Sequence, residues 1–124
     1  MNSLFVEETS RTPRVQLHPD GNLSITGRFL LYESNCFFDP ILTWIKQLTA
    51  PEIHFSIQME YLNTCGAKYL FIIFQLLKDN DFVKSLDIDW YYEDDDEDAY
   101  DIGREFESLI NVPFTFHVYA EALG

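Results

Sequence analysis

The chain has 124 residues and a net charge of −13, from 21 Asp and Glu residues against 8 Lys and Arg residues. This length is typical of one domain with its own core, and 47% apolar residues exclude disorder of the whole chain. A phosphate-binding surface needs clustered basic side chains, so the composition argues against nucleic acid and against an anionic membrane surface as partners. Between Asp87 and Glu107 there are 11 acidic residues and one base. The chain therefore combines a nearly neutral domain with one strongly acidic segment.

The ends and the cysteines of the chain favour a cytoplasmic protein. Glu7 and Glu8 lie where a secretory signal would carry basic residues and then an apolar run, so we expect no such signal. The longest apolar stretch, 69–77, is far shorter than the ~20 residues that span a bilayer. Cys36 and Cys65 form no C-x-x-C pair. Reduced thiols are the simpler interpretation, although the spacing leaves a disulfide open.

The first segments predict a β-hairpin. Residues 1–12 are polar and are predicted to be loose. Apolar and polar residues alternate at 15–17 and again at 23–25. Between them lies Pro-Asp-Gly-Asn at 19–22, a sequence typical of a tight turn.

A helix and a strand follow. Asp39 and Pro40 pair a preferred N-cap residue with proline at the first helical position. Apolar residues at helical spacing continue through 41–48, which predicts a helix that ends before Pro51. Apolar and polar side chains then alternate over 53–59, which predicts a strand with one buried face.

The second half alternates helices with strands. Residues 67–78 are apolar nearly all round, which predicts a largely buried helix. A strand is predicted at 86–92, followed by the acidic run 93–98. One apolar face indicates a third helix over 99–110, whose acidic first turn suits the helix dipole. A last strand is predicted at 113–119.

The predicted order of elements is β-β-α-β-α-β-α-β. Strands that alternate with helices require crossover connections, which indicates a mostly parallel sheet with helices packed on it. We therefore expect an α/β sandwich of STAS-like order with a mixed, mostly parallel sheet. No internal repeat and no Gly/Ser-rich linker divides the sequence, so residues 1–124 are predicted to form a single domain.

Thr64 is the first candidate functional residue. It lies where a predicted strand leads into the buried helix, in the zone where backbone N–H groups lack partners. One interpretation is that Thr64 caps the helix and Gly66 eases a tight turn. The other is that the hydroxyl accepts a phosphoryl group, because a phosphate at this position meets free N–H groups and a favourable dipole. The phosphate adds about −1.5 to −2 charge at pH 7, which would repel an acidic partner or block a contact surface.

The acidic run offers a metal-binding interpretation. Asp94, Asp96, Asp98 and Glu105 have the spacing of positions 1, 3, 5 and 12 of an EF-hand calcium loop. Ala99 occupies the position that needs glycine, and the helical pattern that follows would remove the loop. A solvated acidic loop and a charged docking surface are the alternatives. The aromatic residues 90–92 beside the run are either contacts of such a surface or, as is more common, core packing at a strand end.

A catalytic interpretation has little support. Cys65 at a helix N-terminus is a candidate nucleophile, but His18, His54 and His117 all lie on predicted strands. A zinc site built from these residues and Cys36 lacks any ligand-pair spacing. No Gly-rich phosphate loop is present. We expect a protein without enzymatic activity, bound metal or cofactor.

The sequence resembles the SiaC-type family of bacterial regulatory phosphoproteins over almost its whole length. The matching positions are Arg11, Thr12, Pro13, Val15, Leu17, Pro19, Gly21, Leu23, Ile25, Gly27, Arg28, Phe37, Phe38, Asp39, Pro40, Trp44, Tyr61, Leu62, Asn63, Thr64, Lys68, Trp90–Asp98, Gly103, Phe106, Pro113 and Phe114. The motifs YLNT and WYYEDDDED are the most specific of these.

The family is similar to STAS-domain anti-anti-sigma factors, in which a Ser or Thr at the start of a helix is a phosphorylation switch. The resemblance implies that Thr64 is the phosphoacceptor of a HATPase-type Ser/Thr protein kinase and that a PPM-type phosphatase removes the phosphate. In the best-known members the unphosphorylated form binds and activates a diguanylate cyclase, which raises cyclic di-GMP and favours biofilm. The alternative function is an acidic divalent-cation-binding or structural interaction protein.

The resemblance and the motifs together suggest a partner-binding surface. The residues predicted to contact a partner are Asn63, Cys65, Gly66, Lys68, Trp90, Tyr91, Tyr92, Glu93, Asp94 and Asp95.

Two segments depart from the family pattern. The two residues after the acceptor are usually serines, whereas Cys65 and Gly66 stand here; Gly66 brings the motif closer to the anti-anti-sigma form Asp-Ser-Ser-Gly. After Arg28 the family has Ser-x-Pro-Glu-Asn, whereas residues 29–33 are Phe-Leu-Leu-Tyr-Glu. Both departures bear on the choice of partner.

Overall fold

A computed structural model of the protein describes residues 1–32 and 35–120, in which one mixed β-sheet carries three α-helices. The elements are β1 (Leu4–Val6), β2 (Arg14–Leu17), β3 (Asn22–Phe29), α1 (Asn35–Lys46), β4 (Glu52–Leu62), α2 (Thr64–Asp79), β5 (Ser85–Glu93), α3 (Glu97–Ile110) and β6 (Phe114–Tyr119). Glu33, the last residue of the segment that departs from the family pattern, lies outside the described residues.

The strands lie in the sheet in their chain order, β1-β2-β3-β4-β5-β6. β1 and β3 are antiparallel to β2, whereas β3, β4, β5 and β6 are parallel to one another. The predicted α/β class with a mixed, mostly parallel sheet is confirmed. Because each parallel connection steps to the next strand in the same direction, right-handed crossovers place all three helices on one face.

The core lies between that face and the helices. Leu23, Phe55, Ile88 and Phe114 stand side by side across four strands, and all are buried. The opposite face carries polar side chains that are exposed or half-buried, as the alternation in β4 predicts. The helices therefore begin and end at the two edges formed by the strand ends, and these edges are where loops and helix termini meet solvent.

The predicted hairpin is present. β2 and β3 are joined through residues 18–21, where Gly21 adopts a φ of 102° that side-chain-bearing residues rarely take. A Cβ at Gly21 would also overlap the carbonyl oxygen of Glu52. Asp20 accepts the N–H of Asn22 at 3.0 Å, and this hydrogen bond lowers the pKa of the Asp20 carboxyl.

The N-terminal segment differs from the prediction. Residues 1–12 are not loose throughout, because Leu4–Val6 form β1 and pair with β2. Leu4 lies opposite Leu17, and the backbone oxygen of Asn2 accepts the indole N–H of Trp44 at 2.7 Å. A strand of three residues is too short for its alternation to stand out from the sequence, and pairing with β2 is what stabilises it.

The start of α1 also differs from the prediction. The helix begins at Asn35, so Pro40 lies inside it and Asp39 is not its N-cap. Phe38, which precedes the proline, is buried and stacks on Tyr69 of α2 with ring centroids 4.7 Å apart. Burial of this aromatic ring offsets the hydrogen bond that the proline lacks.

Candidate functional site

The carboxyl ends of the parallel strands form the edge of the sheet at which α2 and α3 begin. Here the register of β3 and β4 shifts between the pairs Gly27–Met59 and Arg28–Tyr61, so Glu60 is an extra residue in β4. An extra residue of this kind is a β-bulge, and it turns the following side chains to the opposite face. The side chain of Tyr61 is consequently 55% exposed at the rim of the sheet.

Asn63 connects this edge to α2. Its side-chain oxygen accepts the N–H of Gly66 at 2.8 Å, and its side-chain amide donates to the carbonyl oxygen of Leu31 at 3.0 Å. Its backbone N–H donates to the carbonyl oxygen of Phe29 at 3.4 Å. The N-cap thereby ties the segment that departs from the family pattern to the start of α2.

Thr64 is the first residue of α2, and its side chain is exposed. The interpretation that Thr64 caps the helix is wrong, because Asn63 supplies that hydrogen bond. Within residues 1–32 and 35–120 the Thr64 hydroxyl takes part in no hydrogen bond. The exposed Lys68 lies one turn further along the same helix, at the spacing where two side chains are neighbours. The hydroxyl is therefore open to solvent beside a positive charge.

Gly66 is buried, and it lies in the first turn of α2 rather than in a tight turn. A Cβ here would lie 2.6 Å from Cδ1 of Phe29 and 2.8 Å from Cδ1 of Leu62. The missing side chain lets the start of α2 approach the ends of β3 and β4 closely.

The acidic run ends in a second helix cap. Asp96 is the N-cap of α3, and its side chain accepts the N–H of Ala99 at 3.0 Å. α3 begins at Glu97, so the residues from there to Glu105 are helical and do not form a calcium loop. Among the described residues, no three His, Cys, Asp or Glu side chains are grouped as a metal site requires. Asp94 stays exposed in the turn before the helix.

The aromatic residues of β5 do not form a single contact surface. Trp90 is only 3% exposed and donates its indole N–H to the carbonyl oxygen of Ala99 at 3.0 Å. Tyr92 is half-buried on the same side, whereas Tyr91 lies on the open face and stacks on His117 at 4.5 Å. Strand alternation separates the three rings, so they do not face a partner together.

The other predicted contact residues lie nearer the surface. Lys68, Asp94 and Asp95 are exposed, and Asn63, Cys65, Tyr91, Tyr92 and Glu93 are half-buried.

At the same edge, hydrogen bonds and burial shift the pKa values of two side chains, Arg28 and Tyr119. Arg28 contacts Glu60 at 2.7 Å, and this hydrogen bond raises the pKa of the guanidinium. Burial raises the pKa of the Tyr119 hydroxyl, a hydrogen bond to Gln58 lowers it, and nearby carboxylates, Glu93 first, raise it further. Arg28 is thus held in an ion pair at this edge, and the half-buried Tyr119 phenol is kept neutral.

Two of the three histidines considered as bases for Cys65 lie beside carboxylates. His54 contacts Asp87 at 3.3 Å and His117 contacts Asp89 at 2.8 Å, both on the open face of the sheet. Cys65 lies in the first turn of α2, on the face of the sheet that carries the helices. Cys36 and Cys65 are not joined by a disulfide.

Sequence reasoning missed the groove that Tyr61 borders. This groove lies between the end of β4 and the start of α3, and Leu62, Ala99 and Ile102 also line it. Two apolar residues in succession, Tyr61 and Leu62, break the alternation of the strand. That break was the available sequence signal for the bulge that turns Tyr61 outward.

Solved structures share this fold. SiaC of Pseudomonas aeruginosa matches with a TM-score of 0.85 and 22% identity, over 96% of this chain and 100% of that chain. A chain in the crystal structure of the diguanylate cyclase SiaD in complex with its activator SiaC, from the same organism, matches with 0.84 and 23%, over 94% and 99%. Apo-SiaC of Pseudomonas aeruginosa matches with 0.79 and 24%, over 97% and 100%. The fold therefore defines a small α/β domain of the SiaC kind.

The sequence itself gives the family. The sequence model described as SiaC family regulatory phosphoprotein matches residues 6–119. The chain therefore belongs to the SiaC family of regulatory phosphoproteins. No curated protein matches the sequence. In the part of the chain that the structure describes, no helix combines the length and apolar character needed to cross a membrane.

Proposed function

We propose that this protein is a non-enzymatic switch that captures an effector protein while Thr64 is unmodified and releases it when Thr64 is phosphorylated. One observation carries the proposal: the Thr64 hydroxyl is exposed at the first position of α2, and Asn63 already provides the cap. A hydroxyl without a structural task can be modified without loss of the helix.

The local electrostatics favour an added phosphate on Thr64. The first turn of α2 contains no acidic residue, so its dipole is not yet compensated by a carboxylate. Lys68 adds a positive charge at the i+4 position. The fold therefore tolerates negative charge here although the chain as a whole carries −13.

The same charge opposes docking. A partner that covers Thr64 must remove water from the phosphate, which costs free energy. An acidic group of the partner that faces Lys68 would also be repelled by the phosphate. A difference of about 3 kcal/mol corresponds to roughly a hundredfold change in affinity. Desolvation of a poorly paired phosphate is large enough to supply this difference.

The family supports a proposal for the partners of the switch. In the solved complex from Pseudomonas aeruginosa, SiaC is the activator of the diguanylate cyclase SiaD. By analogy, the unphosphorylated form of this chain would bind and activate a diguanylate cyclase in the cytoplasm, raising cyclic di-GMP and favouring biofilm. A HATPase-type kinase would add the phosphate and a PPM-type phosphatase would remove it. Of the predicted contact residues, those near enough to the surface and to this edge to take part are Asn63, Cys65, Lys68, Tyr92, Glu93, Asp94 and Asp95.

The test compares Thr64→Ala and Thr64→Asp for binding to a diguanylate cyclase from the same organism, measured by biolayer interferometry. Thr64→Ala should stay folded and bind like the parent, whereas Thr64→Asp should bind more weakly. Thr49→Asp is the matched control, because Thr49 is also exposed but lies in the loop before β4, at the opposite edge of the sheet. Equal affinity of Thr64→Ala and Thr64→Asp would contradict the switch.

A further inference from the structure

A groove of about 240 Å³ lies between the end of β4, which ends two residues before α2 begins, and the start of α3. The exposed ring of Tyr61 and the side chain of Leu62 line the β4 side, and Ala99 and Ile102 line the α3 side. The indole of Trp90 also lines this groove.

The topology explains why the groove is open. β4 pairs with β5 only as far as Gln58 and Tyr91, and its last residues pair with β3 alone. The extra residue Glu60 then turns Tyr61 outward. In the part of the chain that the structure describes, the end of β4 thus pairs with no strand on its β5 side, and the first turns of α3 line the space that remains.

The groove carries acidic side chains where α3 begins. Asp96 and Asp98 line it together with the apolar side chains, whereas Glu60 on the β4 side is paired with Arg28 at 2.7 Å. Among the lining residues that the structure describes there is no Lys, Arg or His. The exposed Asp94 and Asp95 lie in the turn just before Asp96. An apolar floor with an acidic rim is complementary to an apolar side chain that has basic neighbours.

We propose that this groove receives one bulky apolar side chain of a partner protein, flanked in the partner by Lys or Arg. The proposal rests on the proposed function, because it names the anchor with which an effector docks at the edge that contains Thr64. The volume is below the ~300 Å³ lower end of small-molecule pockets and suits a single side chain. Such an anchor in a pocket is the usual form of a binding hot spot.

The position of the groove links it to the switch. Leu62, which lines the groove, precedes Thr64 by two residues in the chain. A partner that inserts its apolar side chain here also covers the start of α2, with its basic neighbours toward Asp98 and its remaining surface toward Lys68. Phosphorylation of Thr64 then weakens the binding of a partner whose side chain occupies the groove.

The test is an NMR titration of the unphosphorylated protein with three capped tripeptides: Lys-Leu-Lys, Glu-Leu-Glu and Lys-Gly-Lys. The chain has 2 Trp residues, so two indole N–H signals report on the two edges. Trp90 lines the groove, whereas Trp44 donates to Asn2 elsewhere and serves as the internal reference. Lys-Leu-Lys should move the Trp90 signal in a saturable way and leave the Trp44 signal in place. Glu-Leu-Glu and Lys-Gly-Lys should each bind at least about tenfold more weakly.

Two pairs of variants test the apolar contact and the acidic charge of the groove separately. Tyr61→Ala should weaken Lys-Leu-Lys about fivefold or more, whereas Phe82→Ala, which removes a ring that is 59% exposed in the loop before β5, should not. Asp98→Lys should weaken the same peptide, whereas Glu105→Lys on the same helix should not, because Glu105 does not line the groove.

An unmoved Trp90 signal, or equal affinity for Lys-Leu-Lys and Lys-Gly-Lys, would overturn the apolar anchor. Equal affinity for Lys-Leu-Lys and Glu-Leu-Glu would overturn the basic flanks. The titration involves neither phosphate nor cyclase, so its failure leaves the Thr64 variants as an independent test of the proposed function.

Discussion

The two helices that begin at the carboxyl edge of the sheet have the same type of N-terminal cap but differ in the charge of their first turns. Asn63 and Asp96 each accept the N–H of the residue three positions on, at 2.8 Å and 3.0 Å. The first turn of α2 contains no acidic residue and exposes the Thr64 hydroxyl, whereas the first turn of α3 contains Glu97 and Asp98. The first turn of α3 already carries negative charge, whereas the first turn of α2 carries none. The difference marks α2 as the place where a phosphate changes the surface most.

The largest expected effect concerns the buried glycines by which both helices approach the sheet. A Cβ at Gly66 would lie 2.6 Å from Phe29, and a Cβ at Gly103 would lie 2.7 Å from the indole nitrogen of Trp90. Gly66→Ala and Gly103→Ala should each lower the free energy of unfolding by about 1–3 kcal/mol, as overpacking does. Urea denaturation measures this, with Ser108→Ala on the exposed side of α3 as the control.

The sign of that effect is informative. Alanine normally stabilises a helix by about 1 kcal/mol relative to glycine. An increase in the free energy of unfolding for either variant would show that the corresponding helix does not depend on close approach to the sheet.

The second-largest expected effect is the loss of stability on removing the N-caps of α2 and α3. Asn63→Ala and Asp96→Ala should each cost about 0.5–2 kcal/mol of stability, because each leaves a helix N–H without its acceptor. Asn63→Ala should cost more, since the Asn63 amide also donates to Leu31. Asn63→Asp keeps the cap and removes this donor, so thermal unfolding should place it between the parent and Asn63→Ala. Equal losses for the two alanine variants would mean that the bond to Leu31 contributes nothing.

The smallest effect tests the charge difference itself. Thr64→Asp should raise stability by about 0.3–1 kcal/mol through the dipole of α2, and Asp98→Asn should lower it by a similar amount at α3. Both changes should shrink as salt is added. Urea denaturation at low and high salt measures them. Destabilisation by Thr64→Asp at low salt would show that the start of α2 does not accept negative charge.

The sequence predicts those elements whose signals are local. The turn at 19–22 and the alternation at 53–59 suffice for the hairpin and for β4, and the strand-to-helix junction is enough to place Thr64 at a helix start. β1 was missed because its three residues are stabilised by pairing with β2 rather than by a pattern of their own.

Long-range packing decides the remainder. The start of α1 depends on Phe38 stacking on Tyr69, which is distant in sequence, and this burial overrides the proline signal. The bulge at Glu60 depends on register with β3, so the groove beside Tyr61 was not foreseen. Trp90 lies in a motif that resembles a contact surface, but its buried position follows from strand alternation.

The most direct measurement compares the affinities of the unmodified protein and of protein carrying phosphothreonine at position 64 for the diguanylate cyclase from the same organism. Isothermal titration calorimetry at physiological salt gives both dissociation constants under identical conditions. The unmodified form should bind tightly and the phosphorylated form roughly a hundredfold more weakly, with both forms equally folded. Equal dissociation constants for the two folded forms would contradict a switch at Thr64.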